Sequence, residues 1–324
     1  MRTLNNTKLF IAALAAVLLT ACGGGGGGSS SGSLPPLLIT SSNYVDVAEN
    51  SVARANGVSG TSSLGTSLVG AQISQAESIA LKDIALSTAA TLLDNWAMFD
   101  NPTIVGAVTS NTVNCPGGGT VSGVVNASNN LTPSTGDTVS ATFNNCNLNG
   151  VLGNGSLYIV INSYSGSNLS TNGSASLTMV FSNFTAGSDA VDGSITMGVT
   201  VSSATVRTVT LAMPNFLVTA NGDSFYFSAF SMTAAQSGSS ASLSMAGSIS
   251  SARYGGSVIV STPSAFAINS SRSVSGQILM TGKNGTKARV TGQGTTILIE
   301  ADTTGSGTYD VHTSVAVNSL VSNW

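Results

Sequence analysis

From about residue 103 onward the chain alternates apolar and small polar residues with a period of two, and this limits what it can become. Leu177, Met179 and Phe181 are interleaved with Thr178, Val180 and Ser182. Ile195, Met197, Val199 and Val201 are interleaved with Thr196, Gly198 and Thr200, and Leu243, Met245 and Ile249 with serines. Successive side chains of a strand point to opposite faces, so this spacing predicts antiparallel strands with one buried face. The dipeptides Asn154-Gly155, Asn172-Gly173, Asp192-Gly193, Asn221-Gly222, Gly255-Gly256 and Asn284-Gly285 lie along these runs. Each supplies the positive-φ positions that tight hairpins need, so each is expected to be a turn. About a dozen strands joined by short turns make a meander the simplest topology. A sheet that long with one greasy face cannot stay flat in water. The expected fold is therefore mainly β: a large antiparallel meander sheet over 103–324, rolled into a barrel, half-barrel or sandwich, with one N-terminal helical segment.

That segment is placed at 41–102. Val69, Ile73, Ala76, Ala80 and Ile84 recur at spacings of three and four, and Ile79, Leu86, Ala90, Leu93 and Ala97 form a second, overlapping stripe. The two stripes make a broad apolar face at helical spacing. Asp100-Asn101-Pro102 stops it. Such a helix is the natural cover for an exposed apolar sheet face.

The N-terminus speaks to address. Arg2 and Lys8 precede an apolar stretch from Leu9 to Leu19, the length of a signal peptide and too short to span a bilayer. Leu19-Thr20-Ala21-Cys22 resembles the lipobox of bacterial lipoprotein signal peptides. The resemblance implies removal of 1–21, a diacylglyceryl thioether on Cys22 and an acyl chain such as palmitate on the new N-terminus. Gly23 follows where an Asp would resemble an inner-membrane retention signal, so the outer membrane is the expected destination. Residues 22–40 begin with the lipidated cysteine and a tether: 23–33 are Gly and Ser only. A tether of that composition spans roughly 18 Å as a flexible coil.

Charged residues make up 7% of the chain, against about 25% in ordinary globular proteins. Of ten Lys and Arg, Arg2 and Lys8 lie in the leader, which leaves eight against thirteen Asp and Glu. Phosphate recognition needs clustered cations, so nucleic acid is excluded as a partner. With Cys22 used for lipid, Cys115 and Cys146 form an even pair and read as one disulfide in an oxidising compartment.

The motifs that carry chemistry elsewhere are thin here. The stretches Asn126 to Asp137 and Asp302 to Asp310 look like worn Asp-rich calcium loops, with Thr304 and Ser306 where carboxylates would stand. Plain turns are the expectation. Asp310 and His312 share a strand face, as do Glu300 and Asp302; an Asp–His pair can orient a base, and paired carboxylates can do acid/base work. A solvated strand end accounts for both. Gly28-Ser29-Ser30-Ser31-Gly32 matches a nucleophile-elbow pattern, but lacks the strand and helix that such an elbow joins. Eight Met and ten Phe read as core filling, or as the lining of an adaptable apolar cavity.

Cys115-Pro116-Gly117-Gly118-Gly119, Gly136-Asp137, Phe143-Asn144-Asn145-Cys146-Asn147-Leu148-Asn149-Gly150 and Gly305-Ser306-Gly307-Thr308-Tyr309-Asp310, with the lipobox and polyglycine, resemble a group of uncharacterised proteobacterial outer-membrane lipoproteins. The resemblance implies a β-rich exported body and no activity. The expectation is thus an outer-membrane lipoprotein acting as a non-enzymatic structural or binding module. Its partners are the membrane, through Cys22, and an apolar ligand or an envelope protein. No catalytic residue, cofactor or metal is expected. The alternatives are an integral outer-membrane β-barrel, which the 6% aromatic content and missing girdles disfavour, and a cell-envelope hydrolase.

Overall fold

A computed structural model describes residues 33–59, 108–115, 117–128, 134–148, 151–168, 172–187, 189–203, 205–220, 223–271 and 273–316. Among these described residues, an α-helix, α1 (Tyr44–Ser59), precedes fourteen strands. The strands are β1 (Val108–Asn114), β2 (Thr120–Asn126), β3 (Thr138–Leu148), β4 (Val151–Asn168), β5 (Asn172–Ala186), β6 (Asp189–Ser203) and β7 (Val206–Ala220). They continue as β8 (Asp223–Ser237), β9 (Ser240–Ser251), β10 (Gly256–Ile268), β11 (Val274–Thr281), β12 (Lys287–Gln293), β13 (Thr296–Asp302) and β14 (Val311–Ala316). Their hydrogen-bonded order is their sequence order, β1 to β14, the expected meander. That order has an edge at each end, so the meander is open and the closed-barrel form of the expectation is corrected.

The chain divides into two compact units. The first holds β1–β6 and the end of β7 from Phe216; the second holds α1, β7 up to Asn215, and β8–β14. In the first, the inward positions are Leu157, Ile159 and Ile161 on β4, Leu177, Met179 and Phe181 on β5, and Ile195 and Met197 on β6, all buried. In the second, Phe225, Phe227 and Phe230 on β8, Leu243 and Met245 on β9 and Phe266 on β10 form the core. These are the alternating sets that the period of two picks out.

The strands are long, up to 18 residues for β4, and bulges keep them in register. Phe143 pairs with Gly155 and Cys146 with Gly153, so Asn144 and Asn145 together face Asn154. Phe181 pairs with Gly193 and Phe184 with Val191, so Ser182 and Asn183 face Asp192. The inserted residue turns the period of two into a step of three, and both ends of the step point inward: Phe143 and Cys146 are buried, as are Phe181 and Phe184. The third residue of each step, Asn145 and Asn183, has φ 46°. Its N–H donates to the side chain that precedes the opposing glycine, Asn154 Oδ1 in one case and Asp192 Oδ2 in the other, both at 2.8 Å. Phe227-Ser228-Ala229-Phe230 repeats the step in the second unit, with Ala229 at φ 45°. Asn154-Gly155 and Asp192-Gly193 therefore lie inside β4 and β6 as parts of bulges. Gly255-Gly256 and Asn284-Gly285 are turns as expected, between β9 and β10 and between β11 and β12.

The helix α1 falls inside the predicted 41–102 segment; the stripes at 69–97 lie outside the described residues. Asn43 caps α1: its carbonyl accepts the Val47 N–H at 2.9 Å, and its Oδ1 accepts the Thr40 N–H at 2.8 Å. Asp46 sits in the first turn, where the helix dipole favours a negative charge. Tyr44, Val47, Ala48, Ser51 and Val52 form its buried face, at the i, i+3, i+4, i+7, i+8 spacing of an amphipathic helix, and α1 packs on β8, β12 and β13. The arm before it is stitched into the second unit. The Leu37 N–H donates to Ser257 O (2.8 Å), Ser257 N–H to Pro35 O (2.9 Å) and Lys283 N–H to Leu37 O (2.7 Å). Gly256 and Gly282 leave room for it, since a Cβ at either would collide with Leu37.

Candidate functional site

The disulfide reading holds. Cys115 and Cys146 are bonded, with Cα atoms 5.4 Å apart. Cys115 lies just past β1, and Cys146 is on β3, two strands away. The loop after Cys115 folds back across β2 to reach it: Gly117 N–H donates to Asn147 O and Asn147 N–H to Gly118 O. Gly119 must be glycine there, because it has φ 75° and a Cβ would fall on the Asn145 carbonyl. Both sulfurs belong to buried residues, so the bond is a structural staple. Cys22 and the Gly28–Gly32 stretch lie outside the described residues.

The acidic residues near the C-terminus are occupied. Asp302 is fully buried. Its carboxylate accepts the N–H groups of Thr304 (3.3 Å), Gly305 (2.8 Å), Ser306 (3.1 Å) and Gly307 (2.6 Å) and the Thr304 hydroxyl (3.2 Å). The oxygens that a cation would need are thus already accepting donors from the turn itself. Burial works to raise the Asp302 pKa, but the Gly307 N–H, the Thr304 hydroxyl and the Ser306 and Gly305 N–H groups outweigh it and hold the carboxyl below its ordinary range. The Asp310 carboxyl is likewise lowered, chiefly by the Thr303 hydroxyl and then the Thr303 N–H, both of which it accepts. Asp310 therefore closes the turn and does not orient His312, which is exposed on β14 opposite Glu300. Glu300 in turn accepts Arg289 Nε (3.0 Å) and Nη2 (2.7 Å), and the Arg289 guanidinium lies 3.8 Å from the Tyr309 ring centroid. Glu300 and Asp302 thus serve different partners. Asp137 closes the 126–137 loop in the same way, accepting the Ser128 N–H and hydroxyl and the Ser134 N–H, each at 2.8 Å.

A carboxyl held below its unfolded pKa stabilises the fold above the unfolded value, and that contribution is lost as pH falls through the folded value. Protection of the Gly305 and Gly307 amides, taken relative to their intrinsic exchange rate at each pH, should stay high from neutral pH down to the ordinary aspartate range, near pH 4, and fall below it. Asp302→Asn should show the low protection at every pH. Unchanged protection of these amides in that variant would refute the role given to the carboxylate.

Next to α1, Leu37, Val47, Phe225, Ile249, Val258 and Tyr254 help line a cavity of about 10 Å³. That is the room of a single water molecule, far below what an acyl chain needs. Tyr254 O–H donates to Asp46 O across its rim (3.2 Å).

The surface that sequence reading underweighted is the outward face of β3–β6. Along 108–204 there is no Lys or Arg, and the charged residues are Asp137, Asp189 and Asp192. On this face Tyr158 is 42% exposed. It pairs laterally with Ser140 and Val180, while Val160 pairs with Thr138 and Thr178. Ser194 flanks Val180 and Thr196 flanks Thr178. A hydroxyl and amide row runs along one side: Asn162 Nδ2 donates to Thr178 Oγ1 (2.9 Å), which shares a hydrogen bond with Thr196 Oγ1 (3.1 Å). The result is a small apolar island, Tyr158-Val160-Val180, ringed by neutral hydroxyls. The signal was present in the sequence as Tyr158, the one aromatic at an outward position of these strands. Neither a protein-family model, nor a curated protein, nor a solved structure matches this chain.

Proposed function

We propose that the chain is an exported lipoprotein, held at the bacterial outer membrane through Cys22, that acts as a non-enzymatic binding or structural module. The observation that carries this reading is the Cys115–Cys146 disulfide, because such staples persist in oxidising compartments outside the cytoplasm. It agrees with the lipobox-like Leu19-Thr20-Ala21-Cys22 and with the Gly/Ser tether, which leads into the arm stitched beside Ser257. The resemblance to proteobacterial outer-membrane lipoproteins belongs to the same reading.

Cells grown with a palmitate analogue test the anchor. The unaltered chain should carry the label and sediment with outer membranes, and protease should release its body by cutting within 23–33. The Cys22→Ala chain should lose both label and sedimentation. Membrane attachment of that unlabelled variant would overturn the proposal.

A further inference from the structure

We infer that the outward face of β4–β6 is a binding site for a neutral carbohydrate chain, centred on Tyr158, Val160 and Val180. The inference rests on the reading of the chain as a binding module. Sugars present two chemistries at once: apolar C–H faces and a rim of uncharged hydroxyls. The site offers the complement of both. Adjacent strands lie roughly 5 Å apart and alternate residues roughly 7 Å apart, so Tyr158, Val160 and Val180 form a patch matched to one face of a six-membered ring. Tyr158 supplies an aromatic surface with little conformational entropy to lose. Around it stand Ser140, Thr138, Thr178, Ser194 and Thr196, all able to donate and accept.

Charge decides the class of occupant. Exposed protein surfaces normally carry charge, which keeps them apart. Here 97 consecutive residues, 108–204, hold no cation, so no side chain of β1–β6 attracts phosphate, carboxylate or sulfate groups. The charges nearest along the chain are already engaged: Asp137, beside Thr138, accepts the Ser128 and Ser134 donors, and Asp192, two residues from Ser194, accepts the Asn183 N–H, each at 2.8 Å. An anionic glycan, an acidic lipid and a nucleic acid all need what is missing, whereas an uncharged polyol does not. The hydroxyls of the Asn162-Thr178-Thr196 row are aligned by one another before any ligand arrives, which lowers the ordering cost of binding.

The test is isothermal titration of the full chain in neutral detergent with cellohexaose, maltohexaose and chitohexaose, and with polygalacturonate as the anionic comparison. Saturable binding of at least one neutral hexaose is expected. Tyr158→Ala should weaken it at least tenfold, while Tyr158→Phe, which keeps the ring, should retain it; thermal melts of both variants monitor folding. No binding of any of the three by folded protein, preference for polygalacturonate, or equal binding by the folded Tyr158→Ala variant would each overturn the inference. Because the titration uses purified chain, its result is independent of where the chain resides, which the Cys22→Ala fractionation reports separately.

Discussion

Replacing Cys115 and Cys146 together by alanine is expected to cost about 3–4 kcal/mol of stability. The two are 31 residues apart, and a cross-link of that span removes loop-closure entropy of this size from the unfolded chain. The location adds to the expectation. The loop from Cys115 to Gly119 makes two backbone hydrogen bonds to Asn147 and two to itself, from Cys115 N–H to Gly119 O and from Gly118 N–H to Cys115 O, and Cys146 is the inward end of the Phe-x-x-Cys step. Loss of the bond frees the β1 end of the sheet and loosens the bulge that seats Phe143 against Phe184, whose rings meet edge to face at 5.3 Å. Urea unfolding of oxidised chain and double variant measures the difference. Coincident midpoints would show that the staple contributes nothing, and reduction of the unaltered protein should give the same shift as the substitution.

The second large effect is expected at a glycine. Gly276 on β11 has φ 94°, and a Cβ there would fall on the Ala265 carbonyl oxygen and crowd Phe266 Cα. Gly276→Ala combines a backbone region that L-residues avoid with a collision against the facing strand, so a loss of roughly 3 kcal/mol or more is expected. Gly155 and Gly247 repeat the arrangement: each has positive φ and faces a bulge pair, Asn183-Phe184 for the first and Ala229-Phe230 for the second. Gly123 is the internal control. Its φ is not in the left-handed region, and a Cβ would meet only the Ser140 carbonyl at 3.4 Å. Gly123→Ala should therefore change stability by less than about 1 kcal/mol, toward greater stability in a strand interior. Equal thermal shifts for the two variants would refute this account of the bulges.

The bulge glycines show where reading the chain by pattern reaches its end. Asn-Gly and Asp-Gly offer positive φ cheaply, and a hairpin turn and a bulge both consume it. Which one forms depends on whether a partner strand continues past the dipeptide. At Asn284-Gly285 it does not, and the chain turns. At Asp192-Gly193 the neighbouring β5 continues for its full length, and β6 passes through. One local cue for the bulges does exist: Phe143 to Cys146, Phe181 to Phe184 and Phe227 to Phe230 place inward residues three apart inside runs of period two. A step of three in such a run is an extra residue.

What the amino-acid sequence determined by itself is what depends on near neighbours or on counting. Period two sets two-faced strands, the short turns set a meander, and two cysteines left after Cys22 have only each other. That the outward face of β3–β6 carries no Lys or Arg is also written in residue type alone. Tertiary structure decided what depends on partners far along the chain. It made Asp302 and Asp310 locks for a turn, placed Arg289 between Glu300 and Tyr309, and set Tyr158 beside Val180, 22 positions away, through strand register. A carboxylate or an aromatic ring is ambiguous until its neighbours are known, because the same group can hold a turn, pair with a cation or meet a ligand. Only the register of the sheet chooses among these.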